Sequence, residues 1–380
     1  MTFKGLVLSA IVMTAGCAPT SSPSSGEGGL YVYMRWPYLQ NKADGYSTAI
    51  TSDYINGATV ILEWNRIEPA PGQYDWSSVD NWIKLIMSSD KKMALGVITG
   101  DLAPTWLYGD PYNVPHADFD FDKNEHGACA VLKQPIFWNA TFQSRYKIFL
   151  KAISDHLYSM KNPLYPDKTA YDTLRMVKIS GINVTTEEIR IASESPDTGV
   201  CHQSDAATIW AAFGYTPNIA LSSWSAFSDM TKEVYPDKVL AVDIIHRNAF
   251  PDVDNNGHTT ARSNDLDPVT QGIIDAGILK FGKQFMVKWD ALSQAEILPP
   301  EVVQAGKRGA KIGWQMNYWM GMSGGGSGCL YAPFNIRACD TANDFAAIVA
   351  NGINSGGSLI EVQVQDIPAH AAEFRRYKMR

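Results

Sequence analysis

The chain has 380 residues, 45% hydrophobic and 19% charged, with a formal net charge of −7. That size admits one large barrel or two ordinary domains, and that balance excludes a disordered chain. An acidic chain without a basic cluster excludes nucleic acid as a partner, carries no polybasic stretch for anionic lipid, and disfavours a strongly anionic substrate. Eleven Trp and seventeen Tyr supply flat rings that either stack on ligands or fill a core.

The N-terminus reads as an export signal. Lys4 precedes an apolar run, Gly5 to Met13, that is too short to span a bilayer and ends at Thr14-Ala15-Gly16-Cys17. Ala-Gly-Cys resembles the lipobox of bacterial lipoproteins, which implies acylation of Cys17 and a membrane contact through that lipid alone; Thr14 stands where Leu is usual, and plain signal cleavage nearby is the alternative. Ala18 to Gly29 is Ser/Gly/Pro-rich and reads as a flexible tether. The expected organisation is therefore a signal peptide over 1–16, a tether over 17–29 and one folded unit over 30–380. Of five cysteines, a lipidated Cys17 leaves Cys129, Cys201, Cys329 and Cys339. In an exported protein these pair as disulfides, with Cys329–Cys339 and Cys129–Cys201 favoured over reduced thiols. No CxxC spacing suggests zinc.

Apolar runs and helical patterns then alternate. Strands are expected at Leu30–Trp36, Ala58–Glu63, Lys92–Ile98, Met176–Ile182, Val239–Ile245, Gln284–Trp289, Lys311–Met316 and Ser358–Val364. Helical spacing of apolar residues marks Ser77–Ser88, Phe142–Met160 and Thr341–Ile353. Eight strands alternating with helices predict a single α/β unit, a closed parallel (β/α)8 barrel. Asp101–Gln143 reads as a long irregular segment walling a cleft.

The second strand opens into Trp64-Asn65-Arg66-Ile67-Glu68-Pro69-Ala70-Pro71-Gly72-Gln73-Tyr74-Asp75-Trp76, and the third is followed by Ala103-Pro104-Thr105-Trp106-Leu107. Both stretches resemble strand-to-loop junctions of the clan A glycoside hydrolases, nearest the bacterial β-galactosidase branch. The resemblance implies a sugar-processing barrel whose general acid/base Glu ends strand four and whose nucleophilic Glu ends strand seven.

Glycoside hydrolysis needs two carboxyls, one to protonate the leaving oxygen and one to attack the anomeric carbon or activate water. Strand four runs into Asn183-Val184-Thr185-Thr186-Glu187-Glu188, without the adjacent Asn-Glu of the clan. Neighbouring side chains diverge, so one glutamate is expected to face the cleft: Glu188 is the favoured acid/base and Glu187 the alternate. Strand seven ends at Trp314-Gln315-Met316, with an amide where the clan has a carboxylate. Glu361, a charge within an apolar strand, is the expected second carboxylate, or else a buried ion pair with an arginine such as Arg66. Arg66 either orients a carboxylate or pairs with Glu63 or Glu68. Trp64, Trp106, Trp289 and Trp314 either stack on sugars or pack the core. Asn183, His246 and Gln315 are further substrate-binding candidates, and Asp243, Lys288 and Asp290 plausible hydroxyl-binding groups.

Asp252-Val253-Asp254-Asn255-Asn256-Gly257 opens like a calcium loop, but Ser263 at the twelfth position excludes a full EF-hand. A structural calcium on Asp252, Asp254 and Asn256 competes with a simple Asp/Asn/Gly turn; no cofactor is required. The expectation is an exported glycoside hydrolase acting on an oligo- or polysaccharide. The alternatives are a non-catalytic glycan-binding lipoprotein on a degenerate barrel and, more remotely, a barrel lyase or esterase.

Overall fold

The computed structural model describes residues 28–35, 43–121, 130–192, 206–245, 247–261, 265–292, 299–316, 342–364, 367 and 370–376. The signal segment, all five cysteines, His246 and Ser263 lie outside the described residues.

Eight parallel strands close into a barrel. They are β1 (Gly29–Arg35), β2 (Gly57–Glu63), β3 (Lys92–Ile98), β6 (Leu174–Lys178), β7 (Val239–Ile244), β8 (Phe285–Trp289), β9 (Lys311–Gln315) and β10 (Gly357–Gln363), and β10 pairs back onto β1. This is the single (β/α)8 barrel that the alternation of strand and helix predicts. The Lys92–Ile98 strand and the Ser77–Ser88 helix have the bounds read from sequence. Strand four differs: pairing ends at Lys178, and the chain then bends through 179–192 rather than continuing as a strand to Ile182. That departure turns Glu187 and Glu188 back over the barrel end.

The segment after β3 is only partly irregular. A second, antiparallel sheet pairs β4 (His116–Phe121) with β5 (Ala130–Pro135). Its apolar face, including Phe119, packs onto Trp210. The following helix, Ala140–Ser159, starts where Asn139 accepts from the backbone N–H groups of Thr141 and Phe142 at 3.0 and 3.1 Å, an N-cap that satisfies donors the helix cannot. Thr216 and Asp267 do the same for the helices Pro217–Val234 and Pro268–Phe281, each with proline in its first turn, where its missing N–H costs nothing.

Alternation along the strands divides the core. Tyr31, Ala94, Met176, Val239, Ala241, Met286 and Leu359 form one apolar cluster inside the bore. The larger cluster lies between strands and helices. Further along the bore the inward positions become polar: Thr59, Lys178, Asp243, Lys288, Gln315 and Glu361, all buried. Two inward glycines make this possible. A Cβ on Gly96 would lie 3.0 Å from Lys178 Cδ, and one on Gly313 would lie 2.7 Å from Lys288 Cγ, so the lysine stems use the space a side chain would fill.

The Trp64–Trp76 stretch is a clasp on the outside of the barrel. Glu68 is fully buried and accepts from Trp64 Nε1, from the Gly72 N–H and from Arg145, each at 2.8 Å. Arg145 also lies over the rings of Trp106 and Tyr112, 5.1 Å from each centroid, and Trp106 Nε1 donates to the Glu68 carbonyl at 3.0 Å. Trp64 itself has no exposed surface and stacks on Phe149 at 5.2 Å. Trp64 is thus core and clasp, not a sugar platform. Truncation to Ala should lower unfolding free energy by about 3–5 kcal/mol, read by denaturant titration. Trp64→Phe should cost less, because it loses the donor to Glu68 but keeps most of the packing.

Candidate active site

The C-terminal end of a barrel is where its loops gather functional groups, and here four carboxylates meet two lysines. Lys178 (β6) lies 2.6 Å from Asp243 (β7) and 3.2 Å from both Glu187 and Glu361 (β10). Lys288 (β8) lies 2.6 Å from Asp290, 2.7 Å from Glu361 and 3.1 Å from Asp243. None of the four carboxylates reaches solvent. Around them Tyr33 (β1) donates to Glu187 Oε2 at 2.8 Å, Thr59 (β2) donates to Glu361 Oε1 at 2.6 Å, and Arg35 donates to the Thr185 carbonyl.

The carboxyls differ in proton affinity for stated reasons. Burial opposes the Glu187 charge, but Lys178 and Arg35 outweigh it and hold its carboxyl at about 2. Burial also opposes the Glu361 charge, and Lys178 and Lys288 with the Thr59 hydrogen bond keep it below the usual range. Burial pushes Asp290 well up, and Asp243 beside it adds to the rise. Burial raises Asp243 against the pull of both lysines. Glu188 is raised by burial and then by Glu187. Ionisation is thus favoured at Glu187 and Glu361 and opposed at Glu188, Asp243 and Asp290.

Several buried oxygens here have no hydrogen-bond partner among the described residues: Glu188 Oε2, Asp243 Oδ1 and Asp290 Oδ2, with Arg35 Nε as an unpartnered donor. Asp243 meets its lysines only as an ion pair. Unpartnered buried polar atoms are costly, and several of them meet at this barrel end, where a polar ligand could satisfy them.

Glu187, Asp243 and Asp290 bring one oxygen each within 4.8 Å of one another, a spacing that would also suit a cation. The ammonium groups of Lys178 and Lys288 fill that role at 2.6–3.2 Å. The Asp252–Gly257 turn spends its central carboxylate internally, since Asp254 Oδ1 accepts from the backbone N–H groups of Asn256 and His258 at 2.8 and 2.9 Å.

The sequence candidates divide as follows. Glu187 joins the cluster through Lys178 and Tyr33, whereas Glu188 is buried beside it with no ion pair to either lysine among the described residues, facing Arg190 and Thr186 of its own loop. The bend after Lys178 folds the pair inward together. Glu361 is buried and ion-paired, to two lysines rather than to Arg66. Arg66 is half exposed and bridges to Glu63 at 2.5 Å. Gln315 accepts from Lys288 at 3.2 Å. Asn183 is a strut: its Oδ1 accepts from Thr99 N and Oγ1 at 2.9 and 2.6 Å and its Nδ2 donates to the Val97 carbonyl at 2.9 Å. Trp314 is fully buried and faces Gly352 and Gly357 on the outside of the sheet, not the bore. Trp289 is 6% exposed and belongs to the outer core, and Trp106 is a partly buried part of the clasp.

Sequence reading passed over Tyr33, Arg35, Thr59, Lys178 and Asp101. For Lys178 the signal was present, a charge inside an apolar strand. Asp101 follows β3, has an unpartnered buried Oδ1, and is raised by burial, against the pull of Arg35, to about 6. A folded-state value above the unfolded one of about 3.9 means that ionisation opposes folding as pH rises through 4–6. Asp101→Asn should therefore match the parent in denaturant stability at pH 3.5 and exceed it at pH 8 by up to about 3 kcal/mol.

A glycoside hydrolase family 42 model, described as beta-galactosidase, matches residues 33–161, roughly a third of the chain. No curated protein matches the sequence. Among solved structures, the catalytic domain of a beta-amylase from Paenibacillus polymyxa is similar with 12% identity, over 92% of this chain and 97% of that one, at a TM-score of 0.59. A beta-galactosidase from the psychrophilic Marinomonas ef1 is similar with 12% identity over 88% of this chain and 53% of that one, TM-score 0.48. Xylanase 10B from Thermotoga maritima shows 11% identity over 88% and 82%, TM-score 0.46. The beta-amylase likeness is one of barrel fold. The family match supports a glycosidase, and it spans the Glu68 clasp, Tyr33, Arg35 and Asp101 but none of the four solvent-free carboxylates.

Proposed function

We propose that the protein is a glycoside hydrolase acting at the lysine–carboxylate cluster by a two-carboxyl mechanism. The observation that carries this reading is the meeting, at the C-terminal end of a closed parallel barrel, of Glu187, whose charge Lys178 and Arg35 favour, with Asp243 and Asp290, whose carboxyls burial raises and which keep unpartnered oxygens. Carboxyls with opposite preferences for the proton are what acid-assisted displacement at an anomeric carbon needs. The oxygens of Glu187, Asp243 and Asp290 lie within 4.8 Å of one another, nearer the ~5 Å of retaining enzymes than the ~6.5–9.5 Å of inverting ones. Glu187 is then the nucleophile, and Glu361, which bridges Lys178 and Lys288, is the counterion that fixes the lysines. Hydrolysis at these atoms requires the barrel mouth to open enough to admit a sugar ring.

One observation favours a second reading. Gln315 stands where the clan places its nucleophile, and the cluster is closed to solvent, which suits a barrel that binds a glycan without cleaving it. A panel of aryl and natural β-glycosides, with the product anomer followed by NMR, separates the two. Hydrolysis with retained configuration, lost about 10²–10⁴-fold in Glu187→Gln, is the expected result. Calorimetric binding without turnover by the parent protein selects the glycan-binding reading.

The substrate is an oligo- or polysaccharide outside the cytoplasm, supported by the export-type N-terminus and the Ala15-Gly16-Cys17 sequence. Among the described residues no helix is long and apolar enough to cross a membrane, so attachment would rest on the lipid at Cys17. Cys17→Ser should move the protein from the membrane to the soluble fraction on cell fractionation. An unchanged distribution overturns the lipid anchor.

A further inference from the structure

The cluster contains more carboxyls than cations. Among the described residues Lys178, Lys288, Arg35 and Arg190 face Glu187, Glu188, Glu361, Asp243 and Asp290. All five acids are buried. Uncompensated charge in such a place is neutralised by taking up protons, so where those protons sit is a question of geometry.

Glu361 has no room for one. Its Oε1 accepts from Thr59, and its Oε2 is held by Lys178 at 3.2 Å and Lys288 at 2.7 Å. Glu187 is engaged at both oxygens as well, by Lys178 at Oε1 and Tyr33 at Oε2. Glu188 keeps an unpartnered Oε2 but faces Arg190 on its own loop; Asp243, on β7, and Asp290, just past the end of β8, remain, each with one oxygen on Lys288 and one without a hydrogen-bond partner. The two are not equivalent. Asp243 Oδ2 touches both ammonium groups, at 2.6 and 3.1 Å, while Asp290 touches only Lys288. The negative charge therefore rests on Asp243 and the proton on Asp290. Depth agrees with this assignment. Asp243 is paired in register with Lys288, so Asp290, two residues further along and past the end of β8, lies nearer the mouth.

Resting on the glycosidase reading, we infer that Asp243 and Asp290 form a proton-sharing pair and that Asp290 is the general acid/base, in place of the glutamate expected after the fourth barrel strand. In the first step the Asp290 O–H proton passes to the glycosidic oxygen as its bond to the anomeric carbon breaks. The aglycone departs as an alcohol, and a Glu187 oxygen bonds to that carbon. In the second step the Asp290 carboxylate takes a proton from water, the water oxygen bonds to the anomeric carbon, and the ester to Glu187 breaks. Both carboxyls return to their starting states. Asp243 touches no reacting atom in this scheme and is a positioning residue that holds the proton on its neighbour. Glu188 has Arg190 and Thr186 on its own loop for compensation.

Two measurements on the full chain test this. The first compares aryl glycosides bearing a 2,4-dinitrophenyl leaving group, which departs without protonation, with alkyl glycosides, which need an acid. Asp290→Asn should lose about 10²–10⁴-fold on alkyl substrates, keep near-parent bond cleavage on the dinitrophenyl one, and lose the basic limb of the kcat/KM pH profile. Equal loss on all aglycones, no loss, or the same leaving-group signature in Glu188→Gln instead, overturns the assignment. The second needs no turnover. Infrared difference spectra at pH 7 should show a carboxylic-acid C=O band in the parent that disappears in Asp290→Asn and shifts in Asp243→Asn. Absence of that band sinks the shared proton. If the band is present while no glycoside is cleaved, the hydrolytic role fails and the proton-sharing pair stands.

Discussion

The arrangement at the barrel end depends on two buried ammonium groups. Lys178 and Lys288 rise from adjacent regions of the wall into a space shielded from solvent, and removing a charge from water costs several kcal/mol even after relaxation. That cost is offset only because each lysine touches three carboxylates. Four barrel strands and the two loops leaving β6 and β8 are thereby tied to a common centre. Gly96 and Gly313 belong to the same device, since a methyl group at either would press on a lysine stem. The apolar floor made by Tyr31, Met176, Met286 and Leu359 deepens the site's low dielectric, which strengthens each ion pair and sharpens the contrast between ionised and protonated carboxyls.

The Glu68 clasp supports this centre without joining it. It anchors the loops that leave β2 and β3, and those strand ends carry Glu63 and Asp101 at the rim. Residues that carry the likeness to β-galactosidases are therefore largely scaffolding. Trp64, Glu68 and Trp106 hold loops in place, whereas the groups able to do chemistry are contributed by β6, β7, β8, β10 and the loops that follow. A scaffold of this kind can outlast changes in the catalytic set, because its residues interact with one another and not with substrate.

The barrel was legible because each strand is a short apolar run bounded by turn or helix signals, and buried parallel strands need no alternation to be recognised. The site was legible only where a charge interrupts such a run. That signal marked Glu361 and, with the loop acids, Glu187 and Glu188. The same signal at Lys178 was passed over, and with it the natural partners of Glu361. Facing was the harder question. Side chains alternate along a strand, so Trp314, between Gly313 and Gln315, must point away if they point into the bore. A tryptophan at a strand end is as well placed to fill the outer core as to meet a sugar, and position alone does not distinguish the two. The bend after Lys178 was invisible for another reason. Ile179 and Ile182 continue the apolar spacing, and the break lies at Gly181, whose φ of +109° leaves the strand region.

Gln315 takes its meaning from the charge balance. The resemblance to clan A glycoside hydrolases implies a carboxylate at that position. Here its side-chain oxygen accepts from Lys288, which already serves Asp243, Asp290 and Glu361. A glutamate would add a sixth carboxyl to a buried set with four described cations, and the additional charge would compete with Asp243 for the Lys288 ammonium. The amide offers the same acceptor without the charge. On this view the neutral residue at the seventh barrel strand goes with carboxyls placed at the ends of the fifth, sixth and eighth.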